Sequence, residues 1–359
     1  MPTSQFIVYS SADSGSPGYV TGTSGSLLPI FDACLVDGYA SKPKAGWTKP
    51  LPNTASAGVG YIGCWQQPSG SRMHLVINDS AGTQVGGAGG NGAREAYAIG
   101  WESLYNLSCS VGGAVWPFTS SVGSGSGQFP LPSQLLAGGR TVIRKSATAD
   151  TTPRPWVMFA DAHTLYFFVQ AGDTAGHYYA LFFGDIYSLA GPADVWKCMI
   201  EARGAETLAT STALNNPNDN IGVNTLQVPT TIASVIARSF GGGGQSIQIL
   251  KVGDFSKSGV ALGTAMAQHA MAGGIPGPNP ADGAFYLSPI WVAETATTVA
   301  PLRGRMRGMW HVCHPLANFA DGQVFSGAGD YAGKTWRIVK QGPMGGFWAI
   351  ETSNTVETN

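Results

Sequence analysis

Residues 154–172, RPWVMFADAHTLYFFVQAG, decide the fold. Two runs rich in aromatic and β-branched side chains, 157–159 and 165–169, flank a turn at 160–164. That is the pattern of a β-hairpin. A strand with one wet face alternates apolar and polar residues. Here apolar residues stand at consecutive positions, which predicts a sheet covered on both faces. YYALFFGDIYSL (178–189) and VWKCMIEA (195–202) continue the pattern, so 141–203 reads as an antiparallel meander.

Outward from this centre the chain stays β-like. FIVY (6–9), YIGCWQ (61–66) and MHLVIND (73–79) read as strands, the last two joined by the turn QPSGSR. AYAIGWESLYNL (96–107) reads as strand or short helix. One helix is predicted in GTSGSLLPIFDACLVDG (22–38), where Leu27, Phe31, Cys34 and Leu35 have helical spacing. Ser24 or Ser26 would cap its start and Gly38 would close its end. TSSVGSGSGQFP (119–130) reads as a flexible, low-complexity boundary or an exposed arm. Further on, 204–230 is polar and loop-rich. IASVIARSF (232–240) and QSIQILKVGD (245–254) read as strands joined by the glycines 241–244, and IPGPNPADG (275–283) as a long turn. AFYLSPIWVAE (284–294) reads as a strand, and WRIV and FWAIET as a closing hairpin around QGPMGG (341–346). The expected fold is mainly β: antiparallel sheets in a sandwich-like or meander arrangement, long Gly/Pro-rich loops and few short helices. The expected organisation is a β-rich region at 1–130 carrying the helix and a larger one at 131–359, or a single interwoven domain.

Composition sets bounds on function. The chain has 359 residues, of which 50 are glycine and 22 proline, and 11 % are charged, against a usual charged share of ~25 %. Gly and Pro at this density exclude long helical bundles. With 10 Trp, 12 Tyr and 15 Phe, classical disorder is disfavoured. The net charge of −1 leaves no cationic excess for a phosphate backbone, so nucleic acid is not expected as the main partner. A surface so poor in charge suits a protein that works in an assembly, with tryptophans and glycine-rich loops offered at subunit contacts. Cys34, Cys64, Cys109, Cys198 and Cys313 form no close pairs, which favours folding in a reducing cytoplasm over a disulfide framework. No secretory signal pattern follows Met1, and no apolar run approaches the ~20 residues of a membrane span.

Motifs for chemistry are weak. GAGGNG (87–92) has the G-x-G-x-x-G spacing but lacks a βαβ frame. His311, Cys313 and His314 cluster in HVCH, yet no second ligand pair stands at zinc-site spacing. His74, His163, His177 and His269 stand alone, and there is no G-x-S-x-G elbow. Asp282, Glu294, Asp321, Asp330 and Glu351 are the carboxylates available for a glycosidase pair. Trp196, Trp291, Trp310, Trp336 and Trp348 are suited to stacking on sugars, but filling β-cores and subunit contacts is the better reading. Arg303, Arg305 and Arg307 alternate, so in a strand they would share one face as a basic stripe at an interface or toward solvent. The expectation is no catalytic residue, no metal and no cofactor.

Several segments, taken in order, resemble a family of uncharacterised structural proteins of tailed bacteriophages. LLPIFDACLVDGYASKPKAGWTKP (27–50) is similar to that family's ACLVDGY…KPAAGWTK-like block. RPWVMFADAHTLYFFV, FFGDIYS and NPADGAFYLSPIWV are similar to its RPW-hydrophobic-AD, FGD and NPADGGLYLSPV-like segments. LRGRMRGMWHVCHPL, FSGAGDYAGKTWRIV and ETSNT correspond to its R-G-x-x-x-G-x-W, F-x-G-x-GD-x-AGKT and closing segments. The similarity runs from about 6 to 355 and departs at QVGGAGGNGAREAYAIGWESL (84–104), where the family more often has a compact strand–turn–strand. The resemblance implies a virion protein made in the host bacterial cytoplasm, associated with the tail (tip or baseplate) or decorating the head. It implies copies of itself and other virion proteins as partners, contacts rather than catalysis, and no catalytic residue to carry over. The alternative is a host-surface carbohydrate-binding or glycan-cleaving β-protein of the phage, with a host glycan as partner.

Overall fold

The computed structural model describes residues 6–56, 60–83, 94–107, 124–131, 141–146, 150–170, 178–204, 232–239, 242, 246–252, 287–294, 302–312, 319–340 and 347–352. In chain order the elements begin with β1 (Ile7–Ser10), α1 (Leu28–Asp32), β2 (Thr54–Ser56), β3 (Gly60–Gln66), β4 (His74–Thr83) and β5 (Arg94–Asn106). Next come β6 (Ser124–Phe129), β7 (Thr141–Ser146), β8 (Trp156–Ala160), β9 (Thr164–Val169), β10 (Tyr179–Asp185), β11 (Tyr187–Ser188) and β12 (Cys198–Gly204). The remainder are β13 (Ile232–Ile236), β14 (Ser246–Val252), β15 (Leu287–Glu294), β16 (Leu302–Val312), β17 (Val324–Ser326), β18 (Thr335–Lys340) and β19 (Phe347–Glu351).

All pairings between these strands are antiparallel. A middle sheet runs β1–β8–β9–β10–β12–β13. An N-terminal sheet runs β2–β3–β4–β5, and the far edge of β5 is shared by β6 and β7. A C-terminal sheet runs β14–β15–β16–β19–β18–β17, with β11 beside the start of β16. Short ladders from β7 to β12 and from β13 to β14 join the sheets at their margins. Strands on either side of residue 130 pair with each other, β1 with β8 and β5 with β7.

The hairpin forms where the sequence predicts it. In β9 and β10 every residue is buried. Alternation still operates, but between two cores. Leu165, Phe167 and Val169 face the core shared with α1 and the N-terminal sheet. Tyr166 and Phe168 face the core shared with Met306, Met309, Trp348 and Ile350 of the C-terminal sheet. The described residues thus stack in three layers, and the central strands β9 and β10 are buried on both faces.

Three expectations need correction. The short helix forms as expected, and α1 passes directly into a π-helical turn, Ala33–Asp37, that Gly38 ends at φ +79°; its cap is not the expected one. Neither Ser24 nor Ser26 caps it. Ser26 bonds Thr21, and the Leu27 amide instead donates to Asp79 Oδ2 of β4 at 2.8 Å. Residues 96–106, readable from sequence as strand or short helix, are strand as part of β5. Residues 124–129 are not an arm. They form β6, paired with β5 from Gly100↔Phe129 onward, while 119–123 lie outside the described residues. Finally, β7 does not neighbour β8 in the meander; it bridges β5 and β12.

Candidate functional site

Turns from all three layers meet at one polar junction. Asp161 shapes the β8–β9 turn: its Oδ1 accepts the amides of His163 and Thr164, each at 2.8 Å. Such an Asx turn gives the backbone a local partner where the ladder stops. Asp161 Oδ2 then receives Arg307 Nη2 from the C-terminal sheet at 2.7 Å, and its carbonyl accepts the Trp47 indole N–H at 2.6 Å. The Arg307 guanidinium lies 5.2 Å from the ring centre of Tyr187, and the Tyr166 hydroxyl donates to the Arg307 carbonyl at 2.7 Å.

Asp185, at the end of β10, is the second carboxylate. It accepts Gln67 Nε2 at 3.2 Å and the Ser71 amide at 3.1 Å, both from the 67–72 turn of the N-terminal sheet. His163 lies between them, its Nδ1 3.9 Å from Asp185 Oδ2. Burial holds Asp185 above the usual carboxylate range. Burial, with the positive charges of Arg307 and Lys197, holds His163 below its usual value. Both influences favour the neutral imidazole.

Ser69, His163 and Asp185 have the composition of a hydrolytic triad, which the sequence does not suggest. Their geometry is not that of one. The Ser69 hydroxyl lies 3.3 Å from Nε2 and 3.5 Å from Nδ1 of the same ring. Near-equal distances place the oxygen between the two nitrogens, not along one lone pair. Nor does Asp185 reach hydrogen-bond distance of the ring. A base must be oriented by one partner and aimed at the other, and here neither holds. Among the described residues no group of three or more His, Cys, Asp or Glu side chains is placed to hold a metal ion.

The remaining sequence candidates are dispersed. Arg303 and Arg307 are not a solvent or interface stripe, since their relative exposures are 1 % and 5 %. Arg303 makes a fork with Asp194 (Nε–Oδ2 2.8 Å, Nη2–Oδ1 2.6 Å) and a further bond to Glu294. Arg305 alone is half-buried, against the rings of Tyr187 and Trp310. Of the candidate carboxylates, Glu294 serves Arg303, Glu351 pairs with Lys334, and Asp321 accepts the Tyr178 hydroxyl and the Lys340 amide. Asp282, His177, His269, His314, Cys109, Cys313 and residues 87–92 lie outside the described residues. His74 is buried in β4, and burial lowers its pKa. Trp310, Trp336 and Trp348 fill cores, Trp196 and Trp291 are half-buried, and no described tryptophan is exposed. The exposed large apolar side chains are instead Tyr19, Tyr105, Leu189, Val195, Leu302, Val324 and Tyr331. Cys34, Cys64 and Cys198 are buried free thiols.

No protein-family model and no curated protein matches this chain.

Proposed function

We propose that this chain is a structural component of a tailed-bacteriophage virion, placed at the tail tip or baseplate or decorating the head, acting through subunit contacts and not catalysis. The observation that carries the reading is what the resemblance-bearing segments do in the fold. From 27–50, Trp47 bonds the hairpin turn and Asp32 gathers Trp65, Lys49 and Asn53. From the FGD segment, Asp185 fastens the 67–72 turn. From R-G-x-x-x-G-x-W, Arg303 is locked to Asp194, and Gly304 lets the Tyr187 carbonyl approach where a Cβ would collide. From AGKT, Lys334 pairs with Glu351. These polar residues tie strands and layers together.

Contact surface is available elsewhere. Leu189, Val195 and Leu302 are 62 %, 53 % and 41 % exposed. They stand around the Arg303–Asp194 pair: the Leu189 amide donates to the Arg303 carbonyl, Leu302 precedes Arg303, and Val195 follows Asp194. Exposed apolar side chains such as these are cheap to bury against a neighbouring subunit.

The test is composition and location. Mass spectrometry of purified particles of the encoding phage, with cryo-electron microscopy of the same particles, is expected to find the chain in repeated, symmetry-related copies. Absence from particles overturns the reading. Binding on a glycan array together with turnover of host polysaccharide would establish the carbohydrate alternative instead.

A further inference from the structure

We propose that His163 and Asp185 form a proton-operated latch that fastens the 67–72 turn of the N-terminal sheet onto the middle sheet, closed at neutral pH and loosened when His163 takes up a proton. The proposal is independent of where the chain works.

The turn lies directly over the pair. Gln67 anchors one end. Its side chain donates to Asp185 Oδ1 and to the His163 carbonyl, and its Oε1 accepts the Met73 amide at 3.0 Å. Ser71 anchors the other end through its amide, which reaches Asp185 Oδ2. Between them Gly70 sits at φ +74°, so close that a Cβ there would collide with Asp185 Oδ2 and His163 Nδ1. Ser69 touches the ring. The side chains beneath are 12 % (His163) and 2 % (Asp185) exposed. Closing the turn therefore removes the pair from water.

Four charged groups act on the imidazole. Asp161 lies in its own turn, Asp185 at the end of β10, Lys197 just before β12, and Arg307 on β16. Two cations oppose an imidazolium and two carboxylates favour it, so burial decides. Burial favours the neutral ring. A protonated ring also gains a donor, Nδ1–H, facing Asp185 Oδ2 from 3.9 Å. That is the oxygen that Ser71 uses. An imidazolium moving to it competes with the Ser71 amide and loosens the turn.

The sign follows from linkage. The closed turn depresses the His163 pKa, so closure is fully favoured above the solvated value of about 6.5 and weakens as pH falls below it. Each unit of depression multiplies opening by up to about tenfold. Asp185 works in the opposite sense. Its proton is held more tightly in the buried form, so its own protonation resists opening.

The experiment is hydrogen–deuterium exchange of the full chain from pH 7.5 to 5, corrected for intrinsic exchange rates, with residues 164–169 as internal reference. Protection of the peptide spanning Ser71 is expected to fall several-fold below pH 6.5 while the reference stays protected. His163→Gln is expected to abolish that pH dependence. Equal pH dependence in the variant, or none in the wild type, overturns the proposal. If His163→Gln does not fold, an NMR titration of His163 in the wild-type chain decides. A midpoint below 6.5 that coincides with shifts of the Ser71 amide supports the latch; an ordinary midpoint, or an unmoved Ser71 amide, overturns it.

Discussion

Phe167 and Phe168 are neighbours in one strand and are buried in different cores. The Phe167 ring lies 5.1 Å from Phe31 of α1 and 6.2 Å from Trp156. Phe168 faces the opposite way, edge-on to Phe159 at 6.2 Å. The two interfaces of the stack are thus set by one backbone and its period of two. Phe167→Ala and Phe168→Ala are each expected to cost about 3–5 kcal/mol, the usual loss for a buried aromatic. Urea denaturation checks this. A mild effect from either one would mean that its core is not closed.

The middle sheet is legible in the sequence because a strand buried on both faces leaves a rare mark, apolar residues at consecutive positions. The closure of the helix at Gly38 is legible for a similar reason, since φ +79° there favours glycine. Residues 124–129 mislead because glycine has two uses. Gly127, at φ +67°, and Gly125 let β6 lie against Glu102 and Trp101, so they serve close approach and not mobility. The arginines mislead because their shared parity is visible and their partners are not. Asp194 and Asp161 lie 109 and 146 residues away from Arg303 and Arg307. The polar junction is invisible for the same reason, since nothing in QPSGSR announces that it will cover His163.

Arg303 bonds through all three guanidinium nitrogens. Its side chain is fully buried between Asp194 and Glu294. Arg303→Met strands two carboxylates and is expected to destabilise by about 3–5 kcal/mol. Arg303→Lys keeps the charge but cannot reproduce the planar fork, so it is expected to fall between the wild type and Met in thermal denaturation. Equal stability of all three would remove the pair from the framework.

Lys145 and Asp79 are both completely buried, and Lys145 also bonds the Thr23 carbonyl ahead of α1. Burial pushes Asp79 up to about 6 despite Lys145. Lys145→Met removes the charge that lowers it, so the carboxyl must take up a proton at still higher pH. A raised folded-state pKa gives stability that is present below the unfolded value and lost as pH rises through the folded one. The destabilisation caused by Lys145→Met is therefore expected to be largest at pH 7 and to shrink toward pH 5. Denaturation midpoints of the two proteins across that range test it, and a pH-independent gap contradicts it.

The exposed apolar group around the Arg303–Asp194 pair bears on assembly. Leu189 and Leu302 are more exposed than buried cores permit, yet the backbone beneath them is fixed, with Ser188 paired to Gly304 and the Leu189 amide bonded to Arg303. Leu189→Glu and Leu302→Lys replace surface side chains outside the cores, so each is expected to alter stability by no more than about 0.5 kcal/mol. At a subunit contact the same changes bury an unpaired charge, which is costly. Incorporation of either variant into particles, measured by quantitative mass spectrometry against wild type in mixed expression, is expected to fall several-fold. The double variant restores opposite charges and is expected to recover part of the loss only if the two side chains meet across the contact. Normal incorporation of both single variants, with the fold intact, would remove this surface from the assembly and leave the subunit contacts to other faces of the stack.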